Sequence, residues 1–587
     1  MSKSARSHSV QALVQARARN ERLNDLTLPS RLPTETLAKI FAHLVEISPL
    51  TLVYLAYADC PVDERKDLGW LYVTHVCRRW RAIAINEPTL WRQLSITLDR
   101  VWDVFLARAK KAPLVIKYNY YTGSPPPRDL GRCVRSMLQH RDHIQELDPG
   151  WLDTARMLEL VQGLTGPLPH LRQLRLQTLC AVDTPLLSLP THFFAESAPN
   201  IRLLQLSGIA FPWGSGSSTI TCFHYGCLHG QNPAAFDPNR HTFAEVVSTL
   251  QNMPALKDLM LVGAVPSYRE GDKHAEIQLP QLEDLQITSR DASSWHLWTL
   301  IQHPSYTSIF IRNTGPMGIA STTIGSIIAS RLHAHLSSYP FHFRALGVHA
   351  PEPGAIEIEL TDAVPNIVEN PAHTPSAAET VVAGNITLWL CTGDIEPAAR
   401  QLISACAAVL EGIRKVSILG NVGSSHDLYD AFSPARSVTT LKLDGAVGEV
   451  IAALIPVQIK TKPFLTHRGV SFYRSTPEST LFPALEEMGC VHVDFGDWCH
   501  HAGERMRVHS ALYMALSHRS EVLGRTLETL DVDGCDDMSL EWAKGWLRHV
   551  ARLVSTELAM DLEGDDDSEE SEGVSEGEDE NETDFSE

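Results

Sequence analysis

The sequence predicts a mixed α/β chain: an N-terminal helical unit, then an irregular solenoid of short strands, then a disordered acidic tail. Three observations carry this. Large apolar residues recur at helical spacing between residues 32 and 91. From about residue 96 to 560 a small turn followed by Leu-x-x-Leu-x-Leu returns at irregular intervals. Beyond residue 560, acidic residues displace apolar ones.

Residues 1–27 read as an N-terminal arm with a short helix over 9–25, where Val10, Leu13 and Val14 stand at i, i+3, i+4. Residues 1–20 are rich in Arg and Ser and contain no acid, so a mitochondrial presequence is the competing reading. No secretory signal and no apolar run of membrane-spanning length is evident, which points to the cytoplasm or nucleus. The 11 cysteines are scattered, unlike a disulfide framework, and fit a reducing compartment.

The next segment, 28–95, is dense in pattern. Leu32-Pro33-Thr34-Glu35 opens a helix, because Pro is tolerated in the first turn and Glu suits the positive end of the helix dipole. Leu37, Ile40, Phe41 and Leu44 then form one apolar stripe. A second helix repeats the stripe with Val73, Val76, Cys77, Trp80, Ile83 and Ala84, leaving Arg78, Arg79 and Arg81 for solvent. Asn86-Glu87-Pro88 stops it, and Leu90-Trp91 adds two apolar groups. Two helices cannot bury all of these between themselves, so a further surface must cover them. Residues 45–69, with Pro49, Asp59, Pro61 and Asp63, read as a long loop between the helices.

In the region 96–560 the clearest unit is Pro169-His170-Leu171-Arg172-Gln173-Leu174-Arg175-Leu176. Units starting at 256, 282 and 306 lie 26 and 24 residues apart, within the leucine-rich-repeat range, and the gap from 201 to 256 spans about two of them. Each unit supplies one strand whose alternate residues, such as Leu174 and Leu176, enter a core that only stacking completes. Further strands are expected at 341–348, 355–361, 385–391, 414–420 and 438–444, and Leu527, Leu530 and Val532 repeat the form near the end. Separate α/β domains are the rival organisation.

The order Leu32-Pro33-x-Glu35-x-Leu37-x-x-Ile40-Phe41-x-x-Leu44, then Val73-x-x-Val76-Cys77-Arg78-Arg79-Trp80-Arg81-x-Ile83-Ala84, then Pro88-x-Leu90-Trp91 resembles the F-box. The stretch from Trp70 to Trp80 resembles the expanded F-box families of fungi, although the 45–69 connection is longer than in a compact F-box. The resemblance implies docking on a Skp-type adaptor, and through it a cullin, in an SCF (Skp–cullin–F-box) ubiquitin ligase. It implies that Leu32, Pro33, Leu37, Ile40, Phe41, Leu44, Val76, Cys77, Trp80, Leu90 and Trp91 form that interface. An F-box followed by leucine-rich repeats is itself a family arrangement, in which the repeat surface captures a protein substrate. The expected fold is therefore a helical F-box followed by a leucine-rich-repeat-like solenoid.

Enzymatic chemistry finds no motif. Gly214-Ser215-Gly216-Ser217-Ser218 matches neither a nucleophile elbow nor a phosphate loop, so no catalytic residue and no cofactor are expected. Cys222, His224, Cys227 and His229 have metal-ligand side chains, but four ligands within eight residues are cramped, and a loop with buried thiols and satisfied histidines is the simpler reading. Cys490, His492, Cys499, His500 and His501 form a looser group. Net charge is −20, and 15 of the acids fall in 561–587 with no Lys or Arg. The body is therefore near neutral and lacks the basic face of a nucleic-acid binder. The tail solubilises, or carries regulatory phosphorylation at Ser568, Ser571 and Ser575. Two functions stand open: an SCF adaptor, or a repeat scaffold whose F-box-like helices only cap the core.

Overall fold

Alternation at period two decides the middle of the chain. In Gln173–Thr178 every second side chain, Leu174 and Leu176 among them, is buried while Gln173, Arg175 and Gln177 stay half-exposed. The same pattern governs the strand Asp284–Ser289. A computed structural model describes residues 27–54, 64–96, 101–118, 129–178, 187–226, 241–269, 274–315, 321–338, 343–352, 354–362, 385–392, 395–456, 480–535 and 538–555, with Gly271 and a few positions between 15 and 23. The helix expected over 9–25 lies largely outside these residues, as do Cys227, His229 and the acidic tail. The chain divides into two units, 1–317 with 380–389, and 318–379 with 390–587.

In the first unit the main strands pair in parallel and follow one another in chain order. Gln93–Ser95 pairs with Leu114–Lys117, which pairs with Ile144–Asp148, which pairs with Gln173–Thr178. Leu203–Ser207, Cys222–Gly226, Asp258–Val262, Asp284–Ser289 and Ser308–Asn313 follow in order. Residues Ile386 to Trp389 pair with Ile309 to Arg312. Register places Leu174, Leu204, Phe223, Leu259, Leu285 and Ile309 in one buried row across neighbouring strands. Each such side chain contributes roughly 1.5–3 kcal/mol by leaving water.

Parallel neighbours need a crossover, and short capped helices supply several of them. Asp129 accepts from the Arg132 N–H at the start of Leu130–Gln139, and Asp153 accepts from the Arg156 N–H at the start of Thr154–Gly163. Thr242 and Glu245 form a reciprocal capping box on Phe243–Gln251.

In the second unit Ala345–His349 pairs antiparallel with Ala355–Thr361 and parallel with Lys415–Leu419. Thr440–Asp444, Glu487–Val491, Thr529–Asp531 and Leu553–Val554 continue the parallel order. The fold is therefore mixed α/β, and strands form at Ala345–His349, Ala355–Thr361, Ile386–Cys391, Lys415–Leu419 and Thr440–Asp444, where five were expected at 341–348, 355–361, 385–391, 414–420 and 438–444, residues 341–342 lying outside the described residues.

Two local expectations need correction. The 45–69 connection is not simply a loop: Thr51–Tyr54 and Glu64–Asp67 pair as an antiparallel hairpin. The run Thr51-Leu52-Val53-Tyr54 has the β-branched and aromatic residues that favour this. Cys222–Gly226 is a strand and not a loop, and it fills the gap between 201 and 256. Phe223 and Tyr225 alternate with Cys222 and His224, a period-two signal that the concentration of metal-ligand residue types obscured.

Candidate functional site

The N-terminal helices are assembled around aromatic rings. Helix α1, Thr34–Ile47, buries Leu37, Phe41 and Val45. The apolar stripe of the second segment is not one helix but two, α2 (Val73–Val76) and α3 (Arg78–Asn86). Cys77 breaks it with an extended backbone, φ −153° and ψ 169°, and its Sγ accepts from the Trp80 N–H at the start of α3. The Arg81 guanidinium bridges the break by donating to the Thr74 carbonyl at 2.7 Å. Arg79 donates to the Leu32 carbonyl at 2.6 Å and so ties α3 to the entrance of α1. Both arginines, expected to be solvated, therefore hold backbone in place.

Phe41 of α1 meets Trp80 of α3 with ring centroids 5.2 Å apart. Trp91 stacks edgewise on Trp70 at 4.9 Å and on Phe105, from the helix Trp102–Ala109, at 5.0 Å. The Arg108 guanidinium covers Trp91 at 4.3 Å. The hairpin connection closes tightly beneath these rings, since the Trp70 N–H donates to the Ser48 carbonyl at 2.7 Å. Gly69 sits there at φ +49°, where a side chain would meet the Pro49 backbone.

The expected contact residues thus divide. Leu37, Phe41, Leu90 and Trp91 are interior and fix the shape of the unit. Leu32, Leu44, Cys77 and Trp80 are half-buried, and Pro33 is exposed. Ile40 and Val76 face solvent at 41% and 58% exposure. Sequence reasoning missed Ile47 and Tyr72, exposed at 80% and 57%. Ile47 was legible as the residue seven beyond Ile40, on the same face of α1.

The helices thus leave Ile40, Ile47, Tyr72 and Val76 in solvent among charged neighbours such as Glu35, Lys39 and Arg78. Residues 29–97 match the F-box-like family model. No curated protein matches the chain. F-box domains generally bind Skp-type adaptors, and the match covers the helices, the hairpin and the Trp91 turn of this F-box-like domain.

A second cluster lies on the half-exposed face of the first unit's sheet. Cys222 and His224 share that face of their strand, and parallel register sets Asp258 beside Cys222. His224 Nε2 and Asp258 Oδ2 are 2.8 Å apart, and Cys222 Sγ lies 3.4 Å from each. Burial, then the Asp258 carboxylate, pushes the Cys222 thiol well above its ordinary range. Asp284, opposite Asp258 on the next strand, is pushed up to about 6 by burial and then by Asp258. Asp258 and Asp284 stand 34 and 60 residues from His224 in sequence, so only strand register reveals them.

The looser group at 490–501 does not converge in the same way. His492 Nδ1 pairs with Asp444 at 3.1 Å and His500 Nδ1 with Glu449 at 3.0 Å, while Cys490 and Cys499 are buried. Gly214–Ser218 is a braced turn, with the Gly214 N–H donating to Thr249 Oγ1 at 2.9 Å. Among the described residues no helix is long and apolar enough to cross a membrane.

Proposed function

We propose that this chain is the substrate-recognition adaptor of an SCF ubiquitin ligase. The F-box-like domain docks a Skp-type adaptor and through it a cullin, and the strand-rich remainder captures a protein target. The carrying observation is that a domain that buries Phe41, Trp70 and Trp91 leaves Ile40, Ile47, Tyr72 and Val76 in solvent. Ubiquitin transfer belongs to partner subunits in this reading, so the chain needs no nucleophile or cofactor of its own. Such assemblies operate in the cytoplasm or nucleus.

For the remainder we infer a leucine-rich-repeat-like organisation within each unit. Its support is the sequence-ordered parallel pairing and the in-register buried rows from Leu174 to Ile309 and from Val416 to Leu530. The polar, half-exposed face of each sheet is the surface offered to a target.

The scaffold reading has one observation in its favour: Trp91 is packed on Phe105, so the F-box-like helices cover the element that follows them. Co-purification of the full chain with a Skp-type adaptor separates the two. An adaptor forms a stoichiometric complex with the wild type, and Ile40→Glu with Val76→Glu abolishes it. A folded wild-type chain that captures no Skp subunit overturns the ligase reading and leaves the scaffold.

A further inference from the structure

Cys222, His224 and Asp258 are, among the described residues, the one group of such side chains whose ligand atoms all come together, within 4.8 Å of one another. We propose that they form a zinc(II) site on the half-exposed face of the first unit's sheet. The inference is independent of the F-box reading.

The backbone makes the arrangement. Residues two apart on one strand share a face, so Cys222 and His224 both leave the core side to Phe223 and Tyr225. Parallel pairing without a register shift brings Asp258 directly beside Cys222. Gly226 closes the strand at φ +144°, and the absence of a Cβ there lets the Val262 backbone approach, which holds the two strands in this register. The donors therefore stand on paired strands, which position side chains more firmly than a loop does.

The spacing suits a small tetrahedral ion. Zinc bonds of about 2.0–2.3 Å at tetrahedral angles place neighbouring ligand atoms roughly 3.3–3.6 Å apart. Both sulfur edges measure 3.4 Å. The remaining edge, His224 to Asp258, is 2.8 Å, the length of the hydrogen bond that a metal replaces. Side-chain exposures of 22% for His224 and 38% for Asp258 leave room for that movement and for entry of the ion. A thiolate, an imidazole and a carboxylate favour zinc over magnesium or calcium, which take oxygen ligands.

Asp284 adds a second carboxylate one strand along, which favours a bound cation, while the Arg175 guanidinium opposes it. Binding releases the Cys222 thiol proton to solvent, while His224 binds through neutral Nε2. Three protein ligands leave the fourth position to water or to a donor atom of a bound protein.

The test uses the full chain, stripped with chelator and titrated with zinc(II) and, as a spectroscopic probe, cobalt(II). The expected result is one tightly held ion per chain and a sulfur-to-cobalt charge-transfer band in the near ultraviolet. Cys222→Ser removes that band, and Asp258→Asn weakens zinc binding by more than the roughly 10–100-fold that loss of a merely supporting residue costs. Asp258→Asn is isosteric and keeps the measurement open if Cys222→Ser fails to fold. Sub-stoichiometric metal in the folded wild type overturns the site, as does a thiolate band that survives Cys222→Ser. Either result leaves Cys222, His224 and Asp258 as a hydrogen-bonded cluster only.

Discussion

The indole N–H of Trp91 donates to the carbonyl of Ala84 at 2.7 Å, with both residues buried. Ala84 lies in the last turn of α3, and its helical partner four residues on would be Pro88, which has no N–H. The indole takes the place of the missing donor.

This sets the first expectation. Trp91→Phe keeps an aromatic ring but strands a buried carbonyl, at a cost of about 1–3 kcal/mol. Trp91→Ala also empties the space between Trp70 and Phe105, for a loss of about 3–5 kcal/mol. Urea denaturation of both variants checks the order, and equal midpoints for wild type and Trp91→Phe would refute the account of the carbonyl.

Inside and outside of α1 should respond oppositely. Phe41→Ala removes a fully buried ring and destabilises the domain by about 3–5 kcal/mol. Ile40→Glu, one residue away and facing solvent, changes stability by no more than about 0.5 kcal/mol while removing adaptor binding. Thermal melts and pull-down on the same samples separate the two effects.

In the second unit Arg519 is 2% exposed and donates to the carbonyls of Phe482 and Leu485, each at 3.0 Å, with longer contacts to Leu481 and Pro483. Burial pushes its guanidinium down to about 10, still charged at neutral pH. Arg519→Met removes these donors, although the Phe482 carbonyl keeps the Leu485 N–H and the Pro483 carbonyl keeps Arg525, and a loss of about 1–3 kcal/mol is expected. Arg519→Lys recovers only part of it, because an ammonium cannot reproduce the planar fork. Denaturant midpoints read this directly.

Acid should weaken the fold. His140, His501 and His518 all titrate below the ordinary histidine value of 6.5, with burial the largest cause in each. For His140 the neighbouring His143 adds to the effect, and for His518 the Arg519 charge does. Below 6.5 the unfolded chain binds more protons than the folded one, so stability falls as pH drops through this window and is fully present above it. Urea midpoints at about pH 7.5 and about pH 5.5 give the slope. His518→Gln should flatten it, and an unchanged slope would assign the dependence elsewhere.

Periodicity carried most of what sequence could say. Leu37, Phe41, Leu174, Leu285 and Leu441 enter the core because their spacing matches the helix or strand they form, and the chain alone encodes that match. The F-box-like family match falls on 29–97, the segment in which that local order is densest. What could not be read depends on contacts between segments far apart. Nothing near Arg79 in sequence announces that it donates to the Leu32 carbonyl 47 residues away, and nothing near Ile40 says which side of α1 its neighbours leave open. Asp258 reaches Cys222 only through strand register, to which the buried pair Phe223 and Leu259 and the close Gly226–Val262 approach both contribute. Sequence determined which residues avoid water, and the tertiary structure decided which of the others meet, because pairing depends on long-range alignment of buried rows.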